Sequence, residues 1–265
     1  MHVALVSTIR NRAWILYDWL EALGRIQQPG QQQLTMIFLD DASDDTTTEQ
    51  LECFVKNRDN SILLRNTSPF DPTATSSRHC KDRKALYQHL ADNRNRLIDE
   101  VLTIKADWMF SLDSDILPSP TILRSLLMHP AFYVSSIVNN TRTITVDDVK
   151  LGVWRTSCNI MNEDGAYEPV RFRHIRPVRL NRLEQVDLSG ACFLVKASLL
   201  AQGARFSFHS QGEDGGFCLA LARMNIPRYC DTTPRCVHVL QPKDLPQAKE
   251  TYTNLCPDGV YDGRH

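Results

Sequence analysis

Short apolar runs alternate with helical patterns along most of the chain. Residues 3–7 (VALVS) and 36–39 (MIFL) are apolar and each leads into polar residues. Strands of this form suit a parallel sheet covered on both faces. Between them Trp14, Leu16, Tyr17, Leu20 and Leu23 recur at helical spacing, and Gly24 stands where such a helix would stop. Together they predict a β-α-β unit with a right-handed crossover. A second helix is predicted over 44–55 and a third strand over 62–64. Residues 67–83 are rich in Ser, Thr, Pro and charge and read as a loop. From Lys84, the residues Leu86, Leu90, Leu97, Val101 and Ile104 repeat at helical intervals, with Arg94, Arg96, Asp99 and Glu100 at polar positions.

A strand over 108–112 then ends in Asp113-Ser114-Asp115. Ser119-Pro120 has the pattern of a cap followed by a first-turn proline, which predicts a helix through Leu127. Strands follow over 131–138 and 186–195, the second interrupted at Ser189-Gly190. A short helix over 197–202 stops at Gly203, a longer one is expected over 213–224, and a short strand over 237–240. Residues 139–182 carry no regular pattern. The tail from Gln241 is polar and is expected to wrap the surface or close a site.

This alternation argues for a single α/β domain with a mostly parallel central sheet flanked by helices. The expected domain spans 1–240, divided into a nucleotide-binding half (1–118) and an acceptor-side half (119–240), with 241–265 as the tail. Length agrees, because 265 residues can enclose a real core. The composition, 42% apolar and 23% charged, is that of a globular protein, and a net charge of -1 offers no dedicated nucleic-acid surface. No apolar run reaches the roughly 18 to 20 residues that span a bilayer. The N-terminal apolar run is too short for a signal peptide and reads as a first strand, so a cytoplasmic location is expected. The eight cysteines form no CxxC pair and read as reduced, partly buried thiols. Asn66-Thr67-Ser68 is a formal glycosylation sequon without a secretory context.

Ligands of open α/β sheets bind at the carboxyl ends of the strands. Asp40-Asp41 and Asp113-Ser114-Asp115 both fall there. Two carboxylates one residue apart can reach a shared metal, and hard oxygen ligands suit Mg²⁺ or Mn²⁺. The alternative is an acidic turn that caps the next helix. Asp41, within Asp40-Asp41-Ala42-Ser43-Asp44-Asp45, can accept a nucleobase N–H; equally, the run can decorate a helix N-terminus. Glu213 and Asp214 open an amphipathic helix, where a carboxylate can serve as general base toward an acceptor hydroxyl; equally, the two acids can simply meet the helix dipole. His238 lies between Val237 and Val239, either as a hydrogen-bonded core residue or as a further metal ligand. Arg94 interrupts a buried helical stripe and needs a partner, a phosphate or Asp115.

Taken in order, these segments resemble the GT-A glycosyltransferases, especially family 2 and mannosyltransferase-like relatives. VALVSTIRNR (3–12) is similar to the first strand and nucleoside-contacting turn, with Arg10 in place of the usual aromatic residue. IFLDDASDD (37–45) resembles the second-strand motif whose second aspartate, here Asp41, reads the base. Asn93-Arg94-Asn95 resembles an Ala-Arg-Asn element, with Asn93 departing from alanine. FSLDSDILPSP (110–120) resembles the DxD strand, VDLSGACFLVKASLLAQGARF (186–206) the acceptor-side strand and helix, and GEDGGFCLALARMNIP (212–227) the Glu-Asp helix. His238 matches a late histidine that binds metal in many members.

The resemblance implies transfer of a sugar from a UDP- or GDP-sugar to an acceptor hydroxyl, assisted by Mn²⁺ or Mg²⁺. It implies that Thr8, Arg10 and Asp41 hold the nucleoside. Arg94 and Asp113 would meet the diphosphate, with Asp113, Asp115 and His238 at the metal. Asp214 would be the base of an inverting reaction, with Glu213 beside it. Residues 67–83 and the tail would be lids that order on donor binding. The competing readings are a nucleotide-sugar-binding protein without catalysis and a DxD phosphohydrolase. The phosphohydrolase motif usually lies near the N-terminus, whereas this one follows a complete β-α-β pair. A nucleotidyltransferase would need a glycine-rich loop after the first strand, and STIRNR has no glycine.

Overall fold

The computed structural model describes residues 1–28, 30, 32–67, 70, 83–140, 143–146, 149–152, 158–161, 167–169 and 183–255. The chain opens with β1 (His2–Ile9), α1 (Ala13–Gly24), β2 (Gln33–Asp40), α2 (Thr47–Lys56) and β3 (Ser61–Arg65). Next come α3 (Arg83–Thr103), β4 (Trp108–Leu112), β5 (Ile116–Pro118), α4 (Ile122–Leu127) and β6 (Tyr133–Asn140). Short strands follow: β7 (Thr143–Val146), β8 (Val149–Gly152), β9 (Cys158–Met161), β10 (Tyr167–Pro169), β11 (Leu183–Val186) and β12 (Leu188–Ser189). The chain continues with β13 (Cys192–Lys196), α5 (Ala197–Ala201), α6 (Glu213–Arg223), β14 (Arg228–His238) and α7 (Leu245–Leu255).

The main sheet has the order β11-β14-β6-β13-β4-β1-β2-β3, with β5 paired to β14. The run β4-β1-β2-β3 is parallel throughout. β13 is antiparallel to both β4 and β6, and β14 is parallel to β6. The sheet is thus parallel in the half built first and mixed in the half built later. Two small sheets, β10-β9-β12 and β7-β8, come from the middle segment.

Both faces of the main sheet are covered, which is why its strands read as continuous apolar runs. Val3 and Leu5 join the core under α1, α4 and α7, while Ala4 and Val6 join the core under α3, α5 and α6. Trp19 fills the first layer and packs edge-on to Phe38, 5.7 Å between ring centres. In the second layer Phe193, Phe206 and Phe217 stack, with Phe206 and Phe217 only 4.4 Å apart.

Three segments differ from the sequence expectation. The fourth helix opens at Ile122, not at Pro120, because Ser119 is taken up elsewhere: its N–H donates to the Arg235 carbonyl and its carbonyl accepts from Ile122 N–H. The last strand is eleven residues long rather than four. A register shift between Asp231 and Cys236, a stretch that contains Pro234, hid the alternation. The tail carries α7, whose narrow apolar stripe buries Ala248 and Tyr252. Tyr252 OH donates to the Pro118 carbonyl at 3.0 Å, and Lys249 Nζ meets Asp18 Oδ1 at 2.7 Å. Most of the expected loop over 67–83, and 256–265, lie outside the described residues.

Candidate active site

β1 lies between β2 and β4, so the order of strand addition reverses there. This is the switch point at which open α/β sheets bind ligands. Being parallel, the three strands deliver their carboxyl ends to one edge: Thr8 and Arg10 from β1, Asp40 and Asp41 from β2, Asp113 and Asp115 from β4.

The members of the acidic run after β2 take different partners. Asp40 accepts hydrogen bonds from the Ser43 and Thr48 hydroxyls, both at 2.6 Å. Asp45 accepts from Ala13 N–H at 3.2 Å and Thr47 N–H at 2.9 Å, so it caps α1 and α2 together. Burial alone would raise the Asp45 carboxyl, but these bonds hold it below its ordinary value. Asp41 is buried as well, and its partners come from the residue after β3, from α3 and from the turn after β1. His89 Nε2 lies 2.8 Å from Asp41 Oδ2, and Asn66 Nδ2 donates to Asp41 Oδ1 at 2.6 Å. Arg10 Nη1 stands 3.9 Å away. The Phe70 ring stacks on His89 at 4.4 Å. Thr8 is half-buried, one residue before Ile9, which pairs with Asp40.

The second cluster centres on Arg94, whose side chain is only 9% exposed. Its Nη2 donates to Asp113 Oδ1 at 2.7 Å, its Nε to Glu213 Oε1 at 3.0 Å and its Nη1 to Ser111 Oγ at 3.2 Å. Asp214 Oδ1 is 3.9 Å from Nη2. Of the two partners expected for Arg94, Asp115 is not the one it takes; the neighbouring Asp113 is. The flanking residues explain why this polar triplet sits on a buried stripe. Asn93 Oδ1 accepts from Asn66 Nδ2 at 2.8 Å, while Asn95 exchanges two hydrogen bonds with the Phe206 backbone. α3 therefore ties the base-side loop, the DxD strand and the segment before α6 together.

Asp214 is the most perturbed carboxyl of the cluster. Burial, with the charges of Glu213 and Asp113, pushes it up to about 7 against the lowering effect of Arg94. The Ala191 N–H donates to its carboxylate, but Oδ1 accepts no hydrogen bond. The backbone at 190 approaches it so closely that a Cβ on Gly190 would lie 1.9 Å from Asp214 Oδ2. Glycine is therefore required there, and Ala191 follows in the left-handed region at φ 65. Burial also raises Asp113, with Arg94 opposing.

Asp115 stands in a third arrangement. Arg12 Nη2 donates to its Oδ2 at 2.9 Å, and His238 Nε2 lies 3.4 Å from its Oδ1. Burial would raise the Asp115 carboxyl, but the His238 hydrogen bond and the His238 and Arg12 charges hold it below its ordinary value. Burial would lower His238, and Asp115 raises it on balance. The carboxylate oxygen of Asp115 suits Mn²⁺ or Mg²⁺, whereas the imidazole nitrogen beside it is a poor donor for Mg²⁺. Among the described residues no group of three or more His, Cys, Asp or Glu side chains converges to hold a metal. Asp113, Asp115, Glu213 and Asp214 face the guanidinium groups of Arg12 and Arg94 and the imidazole of His238.

Arg94, Asp113, Glu213 and Asp214 thus form one cluster, Asp115 and His238 a second, and Arg10 and Asp41 a third. Arg12, His89 and Asn66 were not anticipated. His89 and Asn93, four residues apart on one helical face, were the available signal for the base-side cluster; Asn66 had been read only as a sequon. Cys53, Cys192, Cys218, Cys230 and Cys236 are free thiols, and all but Cys53 are buried. No described helix is long and apolar enough to cross a membrane.

No protein-family model and no curated protein sequence matches the chain. Among solved structures it is similar to S. aureus TarS. With TarS 1-349 the TM-score is 0.54 at 13% identity, covering 96% of this chain and 65% of that one. For TarS 1-349 in complex with UDP the TM-score is 0.55 at 12% identity, again over 96% and 65%. For TarS 1-349 in complex with UDP-GlcNAc it is 0.54 at 12% identity, over 96% and 66%. The chain thus spans about two thirds of these structures. The fold is the GT-A glycosyltransferase fold, with a central sheet flanked by helices as the sequence led one to expect.

Proposed function

We propose that this protein transfers a sugar from a nucleoside-diphosphate sugar to an acceptor hydroxyl with the help of Mn²⁺ or Mg²⁺. The observation that carries this reading is the convergence of Asp113, Glu213 and Asp214 on Arg94, beside the Asp115–His238 pair, at the switch point of the sheet. The UDP and UDP-GlcNAc complexes of the similar structures favour a UDP-sugar.

In this reading 1–118 is the nucleotide half and 119–240 the acceptor half. Thr8, Arg10 and Asp41 hold the nucleoside, with His89 and Asn66 fixing the Asp41 carboxylate. Asp113 orients the diphosphate through Arg94. Asp115 and His238 would hold the metal, with Asp113 as the other carboxylate of the motif. When bound, the metal supplies positive charge to the departing diphosphate. Glu213 keeps Arg94 in place from the acceptor side. Asp214, with a pKa of about 7, is suited to take a proton near neutral pH. The acceptor oxygen loses its proton to Asp214 and attacks the anomeric carbon. The bond from that carbon to the diphosphate oxygen breaks, and its electron pair leaves with the nucleoside diphosphate. Asp214 acts as base when configuration is inverted.

The test is nucleotide release from UDP- and GDP-sugars with Mn²⁺, by wild type and by Asp115→Ala. Release by wild type that the substitution removes supports the reading. Equal release by both proteins would remove Asp115 from the site.

A further inference from the structure

The proposed transfer leaves one charged side chain at the DxD turn without a role. Arg12 lies between β1 and α1, in a turn fixed by contacts that do not involve its side chain. Its N–H donates to Thr47 Oγ1 at 2.8 Å, Asn11 N–H donates to Ser43 Oγ at 3.1 Å, and Asp44 N–H donates to Asn11 Oδ1 at 3.0 Å. The turn is tight enough to place Asn11 in the left-handed region at φ 50. The loop that opens α2 therefore aims the guanidinium at Asp115.

That guanidinium is under-used. An arginine fork offers five N–H donors, and the hydrogen bond from Nη2 to Asp115 Oδ2 occupies one of them. Nε is enclosed and has no hydrogen-bond partner. A third of the side chain is still exposed, so the fork is not locked into the interior as Arg94 is. The two oxygens of Asp115 are meanwhile divided, Oδ1 toward His238 and Oδ2 toward Arg12. A divalent cation drawn to Asp115 meets the Arg12 charge on the same carboxylate, and like charges so close repel. A diphosphate arriving beside it is the acceptor group that an arginine fork fits best.

We propose that Arg12 and the divalent cation compete for Asp115, and that the displaced guanidinium anchors the diphosphate of the donor. This rests on the nucleotide-sugar reading above. The exchange couples the two ligands: the cation releases the arginine, and the phosphate takes it up. It also gives Arg12 opposite effects on cation and nucleotide, which a merely structural residue would not have.

The experiment measures Mn²⁺ affinity by electron paramagnetic resonance and UDP affinity by calorimetry in saturating Mn²⁺, on wild type, R12Q and R12K. The backbone contact to Thr47 survives both substitutions. Loss of one charge-assisted contact leads us to expect about tenfold tighter Mn²⁺ binding and about tenfold weaker UDP binding in R12Q. R12K keeps the charge but not the fork and should lie between. Mn²⁺ that binds neither protein alone, or binds R12Q more weakly, overturns the competition. UDP affinity unchanged in R12Q overturns the anchor. Wild type that binds no UDP contradicts the nucleotide-sugar reading itself, and the inference falls with it.

Discussion

The two halves of the sheet are built differently. In β4-β1-β2-β3, every neighbouring pair is parallel, and the strands are joined in turn by α1, α2 and α3. In β13-β6-β14-β11 the chain runs both ways, and its contacts bridge long distances along the sequence. The first half uses successive β-α-β crossovers to bring Thr8, Arg10, Asp41, Asp113 and Asp115 to one edge. The second must carry Asp214 and His238 back to that edge from 99 residues or more beyond Asp115. The difference teaches that the first half of the site is positioned by topology and the second by specific polar contacts. The central contact is Arg94, which lies on α3 and touches both.

Replacing Arg94 by alanine should therefore have the largest effect. It leaves Asp113, Glu213 and Asp214 facing one another, and breaking a buried pair in this way costs about 3 to 5 kcal/mol. A denaturant titration reads the loss, and donor binding should go with it. The same change at Arg10, whose contact to Asp41 is long and more exposed, should cost less than about 1 kcal/mol. Equal losses would mean that the two halves are held alike.

Asp214→Asn should lower transfer by about 10² to 10⁴-fold, the usual contribution of a positioned base. Wild-type turnover should rise with pH through about 7, the value of the Asp214 carboxyl. The stability effect has the opposite direction. Between 3.8 and about 7 the folded protein keeps a proton that the unfolded chain releases, so this carboxyl favours folding in acid and ceases to as pH rises. Asp214→Asn should therefore gain in melting temperature over wild type as pH rises from about 4 to about 7, and keep the gain above it. A variant that is both less active and less stable at pH 8 would show that Asp214 is structural.

On the nucleotide side, Asp41→Ala should reduce the preference for the cognate base by about 1 to 3 kcal/mol, read by competition between UDP and GDP. The smallest change is Asn95→Ala. Losing the pair of hydrogen bonds to Phe206 should cost about 1 to 2 kcal/mol of stability and leave nucleotide affinity nearly unchanged. A larger loss of nucleotide affinity than of stability would extend the donor site into the acceptor half.

Legibility in the sequence followed the same division. Parallel strands buried on both faces leave apolar runs such as VALVS and MIFL, and a strand end marks the site directly, so Asp41, Asp113 and Asp115 could be placed at one edge. β14 could not be read to its full length, because its register shift breaks the alternation around Asp231. α7 was hidden by the narrowness of its apolar stripe. The partner of Arg94 was also out of reach. Asp113 and Asp115 are equivalent in spacing, and only the turn between them decides that one meets Arg94 and the other Arg12 and His238. His89 gave only a helical pair with Asn93, and its link to Asp41 crosses 48 residues.

The most direct test of the central claim is a thermal-shift series with UDP, GDP, CMP and their sugar conjugates, each with and without Mn²⁺. Ligands of the folded protein raise its melting temperature by mass action. A uridine or guanosine diphosphate, free or sugar-linked, should raise it with Mn²⁺ and much less without. No shift from any of them, in either condition, would contradict a nucleotide-sugar site at Asp113–Asp115.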